Sequence, residues 1–94
     1  MPNQQTSVLD QIALENEQLM ARFCVVDLEF ALMQVELASR SADQHHQEQH
    51  WASAKHFYER AKGMARRVSA RHLNGIDIRM KMERIEQALV EQNR

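Results

Sequence analysis

Apolar residues recur along the N-terminal part of the chain in alternating steps of three and four. Leu9, Ile12, Asn16, Leu19, Phe23, Val26, Phe30, Met33 and Leu37 keep that rhythm, which is the heptad spacing of one helix face. One member of the seam, Asn16, is polar. The pattern predicts a single long helix over residues 7–40, roughly 50 Å in length at the α-helical rise. Thr6 or Ser7 can cap it by offering a side-chain oxygen to an unpaired N–H of the first turn. Asp10 adds negative charge where the helix dipole favours it.

The same helix carries a second apolar stripe on its other side: Leu14, Ala21, Val25, Leu28, Leu32 and Val35. A helix that is apolar on two sides is buried on two sides. The expectation is that the heptad seam packs on the rest of the chain. The second stripe, at Val25, Leu28, Leu32 and Val35, would then meet a second copy of the chain, making a homodimer. Asn16 points the same way, because a polar seam residue fixes register and partner number in helical oligomers and coiled coils.

Beyond residue 38 the chain turns polar up to about Gln49, with Ser41 or Asp43 available as the next cap. A second helix is predicted over about 44–71, on the seam Trp51, Ala54, Tyr58, Ala61, Ala65 and Val68. Phe57 and Met64 widen it. Asn74-Gly75 is the clearest break in the chain and suits a helix C-cap followed by a turn. A third helix follows from Gly75–Asp77 to about Gln92, with Ile78, Met82, Ile85 and Leu89 as its seam. The expected fold is all-α: an antiparallel three-helix bundle with one long N-terminal helix and two shorter helices. Residues 1–6 are read as a disordered N-terminus and 7–92 as one domain.

The stretch from Trp51 to Ala61 resembles the second helix of a tetratricopeptide repeat, with Ala54 and Ala61 as its small residues and Tyr58 as its packing aromatic. It is also similar to a helix of the three-helix microtubule-interacting and trafficking domains, whose later Ile-Arg-x-Lys element is matched by Ile78, Arg79 and Lys81. The preceding segment departs from a tetratricopeptide unit, carrying Ala38, Ser41 and Ala42 where a large aromatic, a Leu and a Gly belong. The resemblance implies close packing of the second helix on a neighbour. It also implies a scaffold that binds other proteins.

Composition supports the helical reading. Of 94 residues, 44% are hydrophobic and 27% charged, with only two Gly and one Pro. Such a chain is rich in residues that lose little freedom in a helix and poor in breakers. The lone Cys24 excludes an internal disulfide and any multi-cysteine zinc site. No apolar run reaches the ~18 residues of a membrane span, and no apolar segment near the start reads as a secretory signal. Cytoplasmic residence is the expectation.

Net charge is −1, yet it is unevenly spread: two basic against eight acidic residues in 1–50, ten against five in 51–94. The basic half opens an alternative reading as a nucleic-acid-associated protein, with Lys55, Lys62, Arg66 and Arg67 as phosphate contacts. A further alternative is a metal-binding bundle using His46 and His50, four apart on one helix face, with Asp43. Neither a Glu-x-x-His pair nor a Gly-rich phosphate loop is present. Cys24, mid-helix among apolar residues, is a poor nucleophile. No catalytic, cofactor or metal-ligating residue is therefore assigned. The expected function is a non-catalytic protein–protein interaction module, an adaptor, chaperone-like or regulatory bundle. Its expected partners are a second copy of itself and another helical protein.

Overall fold

The computed structural model describes residues 4–69 and 71–93, with side chains described from Val8 onward. Three helices follow one another: α1 (Gln4–Arg40), α2 (Gln44–Ala65) and α3 (Gly75–Gln92). They form a three-helix bundle with one long N-terminal helix. The dimensions, 65 × 18 × 15 Å, follow from α1, whose 37 residues alone span about 55 Å. Within the stretch expected to be disordered, residues 4–6 are helical, and residues 1–3 lie outside the described residues. Thr6 and Ser7 fall inside α1, and their expected cap bonds lie outside the described side chains.

The turn between α1 and α2 is built from short polar side chains. Asp43, in extended backbone conformation, is the N-cap of α2 and accepts the His45 N–H at 2.9 Å. Ser41 donates its hydroxyl to the Asp43 carbonyl at 3.3 Å, and the Gln47 side-chain amide reaches back to the Ser41 carbonyl. These bonds satisfy groups that a helix end leaves open.

α2 stops at Ala65, short of the predicted residue 71. Beyond this end the Ser69 N–H donates to the Glu17 carboxylate of α1 at 2.7 Å. Before it, the Arg67 and Val68 N–H groups make tight bonds to Met64 and Ala65 carbonyls at 3.0 and 3.1 Å, the usual closing of a last turn. Asn74 then sits as the N-cap of α3 and not as the C-cap of α2.

The core is made of Ala21, Cys24, Leu28 and Ala31 from α1, Tyr58 and Ala61 from α2, and Ile78 and Ile85 from α3. Ala38 and Ala54 extend the buried line between α1 and α2. Small residues dominate it, so the two long helices approach closely. The Cys24 thiol reaches the Ala61 backbone carbonyl at 3.4 Å, a contact that only small side chains permit. The three positions that carry the tetratricopeptide-like resemblance, Ala54, Tyr58 and Ala61, are the buried residues of α2.

Candidate protein-interaction surface

The face of α1 that meets the other helices is the reverse of the one expected. Leu28 is 0% exposed at the centre of the core, and Val25 and Leu32 pack against it. Val35 is half-buried. The assignment of Val25, Leu28, Leu32 and Val35 to an interface with a second copy is therefore corrected: this stripe packs against α2 and α3 of its own chain. The physical reason is size. The stripe includes Ala21 and runs beside Cys24, Ala31 and Ala38, so α2 can come near enough to bury Ala54 and Ala61. Phe23 and Phe30 on the other face would hold α2 away and forfeit that dense packing.

The heptad seam is left uncovered. Leu9, Ile12, Leu19, Phe23, Val26, Phe30, Met33 and Leu37 are all exposed, from 41% at Leu37 to 64% at Leu9. Asn16 is exposed as well. The seam runs for about 42 Å along α1 at the helical rise. Residues 8–16 are exposed on every face of the helix, so the N-terminal end of α1 projects beyond the bundle. Monomeric proteins rarely leave a contiguous apolar strip of this length in water.

The seam has edges and relief. On one flank, Asp27 lies 3.5 Å from the Arg60 guanidinium of α2, and Gln34 is hydrogen-bonded to His50 at 2.7 Å. Asp27 is only 6% exposed, and its Oδ2 finds no hydrogen-bond donor among the described residues. On the other flank, Glu29 and Glu36 line a groove with Arg84 of α3. Phe30 in the seam stacks on Phe57 of α2, ring centroids 5.4 Å apart, which steadies one aromatic at the surface. A shallow depression is lined by Val26, Glu29, Phe30 and Met33. That spacing is that of a hole which receives one side chain from a facing helix.

The other expected sites are dispersed. Lys55 is exposed on α2, while Lys62 is half-buried with its ammonium 6.0 Å from the Tyr58 ring centre. Arg66 and Arg67 lie past the last residue of α2, in the turn. The four cations therefore do not form one helical row. His46 pairs with Asp43 at 3.2 Å, but His50 is taken by Gln34. Among the described residues, no group of three or more His, Cys, Asp or Glu comes together. No helix among them is long and apolar enough to cross a membrane.

Two buried groups have shifted proton affinities. Burial pushes the Cys24 thiol up to about 11, with the negative charge of Asp27 adding to it. Burial also raises Tyr58, whose hydroxyl donates to the Glu86 carboxylate, and that charge raises it further. A raised folded-state value means that Cys24 supports the fold fully below pH 9, and that this support is lost as pH rises from about 9 to about 11. At pH 8 the native thiol is expected to react with an aromatic disulfide reagent about 100-fold more slowly than in 6 M urea. Equal rates would place Cys24 at the surface.

Comparison with protein-family models, with curated proteins and with solved structures finds no match to this chain. The seam itself therefore carries the functional argument. Sequence reasoning found its residues but assigned them to the interior. The signal it missed was the run of small residues, Ala21, Cys24, Ala31 and Ala38, beside the second stripe.

Proposed function

We propose that this chain is a non-catalytic interaction module that holds a helix of another polypeptide along the exposed heptad seam of α1. One observation carries the reading: every position of a regular knobs-into-holes seam, Leu9 to Leu37, is open to solvent in the isolated chain. Heptad spacing fits a facing helix and not a strand, a flat sheet or a small ligand. The bundle behind the seam serves as its rigid support, since Leu28, Ile85 and Cys24 are fully buried. We place the module in the cytoplasm, where a lone free thiol is ordinary.

The reading is tested with a photo-reactive side chain in place of Leu19, in protein expressed in its own cells. Irradiation is expected to give a polypeptide-sized adduct from Leu19 and from Val26. The same group placed at the exposed, off-seam residue Arg66 is expected to give none. Absence of any polypeptide adduct from both seam positions would overturn the proposal.

A further inference from the structure

We infer that the occupant of the seam is a second copy of this chain, lying parallel and in register, so that Asn16 meets Asn16 across the interface. This rests on the reading of the seam as a helix-holding surface and names its partner. Three observations select a second copy. First, the seam is self-complementary: it offers both apolar knobs and, at Val26, Glu29, Phe30 and Met33, a hole that takes the Phe30 of an in-register copy. Second, the area suffices. The exposed seam side chains amount to roughly 700 Å² per protomer, so pairing removes on the order of 1,400 Å², above the ~1,000 Å² of a specific interface. Third, the polar member of the seam, Asn16, meets its own amide counterpart only in an in-register copy.

Orientation follows from heptad positions. With Leu9, Asn16, Phe23, Phe30 and Leu37 at a, the d positions are Ile12, Leu19, Val26 and Met33. Glu15, Arg22, Glu29 and Glu36 fall at g, and Ala13, Met20, Asp27 and Gln34 at e. In a parallel pair each g faces the e of the next heptad on the other copy. Glu15 then faces Met20 and Glu29 faces Gln34, so no like charges meet; Arg22 faces Asp27, which is buried and lies against Arg60 of its own chain. Asn16 pairs with its own amide counterpart, the best-attested polar layer of parallel dimers.

An antiparallel pair fares worse. The register that overlaps most of the seam sets Phe23 opposite Val26 and Asn16 opposite Met33. The lone amide would then face a thioether. Glu15 would flank Glu36 and Arg22 would flank Glu29, each twice, so the flanking charges cancel and the amide decides. The parallel arrangement also lays the two projecting N-terminal ends of α1 side by side, so that Leu9 and Ile12 are covered.

Sedimentation equilibrium of the purified chain over a concentration series tests the partner. A dimer is expected, and Phe23→Glu and Leu19→Glu are each expected to give monomers whose helical circular dichroism is unchanged. A wild-type chain that stays monomeric throughout, or assembles beyond two copies, overturns the inference. In the monomer case an in-cell adduct from Leu19 of a mass other than a second copy would leave the helix-holding reading standing. Orientation is tested in a Cys24→Ala background, with folding verified by circular dichroism. In a glutathione redox buffer, Leu19→Cys alone is expected to form a disulfide-linked dimer, because d positions face each other in a parallel pair. Linkage only on mixing Leu19→Cys with Phe30→Cys would show an antiparallel pair and overturn the parallel register.

Discussion

Leu28→Ala is expected to cost about 3 kcal/mol of folding stability, within the range measured for burying and then deleting a leucine side chain. Leu28 is 0% exposed and contacts a core drawn from all three helices. No neighbouring segment can relax into the void without breaking the close approach of α1 and α2. A domain of this size has about 5–10 kcal/mol in total, so the midpoint of thermal unfolding is expected to fall by about 15 °C. Urea unfolding followed by circular dichroism reads the change directly. A loss below about 1 kcal/mol would mean that Leu28 is at a surface, and that the heptad seam is the true interior.

The comparison with Phe23 gives this prediction its use. Phe23 is larger than Leu28, yet it is 55% exposed in the isolated chain. Phe23→Glu should therefore leave the fold of the protomer intact while abolishing association. The two substitutions separate the two apolar faces of α1 by experiment: one removes structure, the other removes a partner. A polar residue at Leu28 could never report on association, because the chain carrying it would unfold first.

Much of this architecture was legible along the chain. The heptad rhythm and the breaks at Ser41–Asp43 and Asn74-Gly75 located three helices. The start of α3 was expected between Gly75 and Asp77 and its end near Gln92, against Gly75–Gln92 observed, and Asp43 was among the residues named for the second cap. These are local signals, set by backbone propensity and by short side chains that bond their own main chain. The premature end of α2 was illegible for the opposite reason. The segment after it bonds Glu17 through the Ser69 N–H, a contact between residues remote in sequence, while the local pattern through Val68 still reads as helix.

The choice between the two faces of α1 turned on a quantity that periodicity does not carry. Both stripes have helical spacing, and bulk alone favours the seam with Phe23, Phe30 and Leu37. Packing density favours the other, because dispersion grows steeply as two backbones approach. Ala21, Cys24 and Ala31 each expose none of their surface, as do Ala54 and Ala61 across from them. The large residues of the seam stay exposed, and in the interface proposed for them interdigitating knobs need a wider spacing between helix axes. Asn16 belongs to the same logic. A polar residue is costly in a core with no partner for its amide, but in an interface between identical helices its own symmetry mate supplies the bond.

Ala61→Leu should test that packing argument most directly. Ala61 is 0% exposed, and its carbonyl lies 3.4 Å from the Cys24 sulfur. A leucine there has no space to enter unless α2 moves away from α1. Overpacking of this kind costs about 1–3 kcal/mol, and displacement of a whole helix pair places it at or above the upper end. The same change at Ala52, which is exposed on α2, is expected to shift stability by less than about 0.5 kcal/mol. Separation of the helices has a second readout besides unfolding. It uncovers Cys24, so the thiol of the Ala61→Leu chain is expected to react faster with a disulfide reagent at pH 8 than that of the native chain. If Ala61→Leu leaves both the unfolding midpoint and the thiol rate unchanged, α1 and α2 are not held together by small residues. The seam of large residues would then be free to serve as the intramolecular contact, and the interface proposed for it would fall.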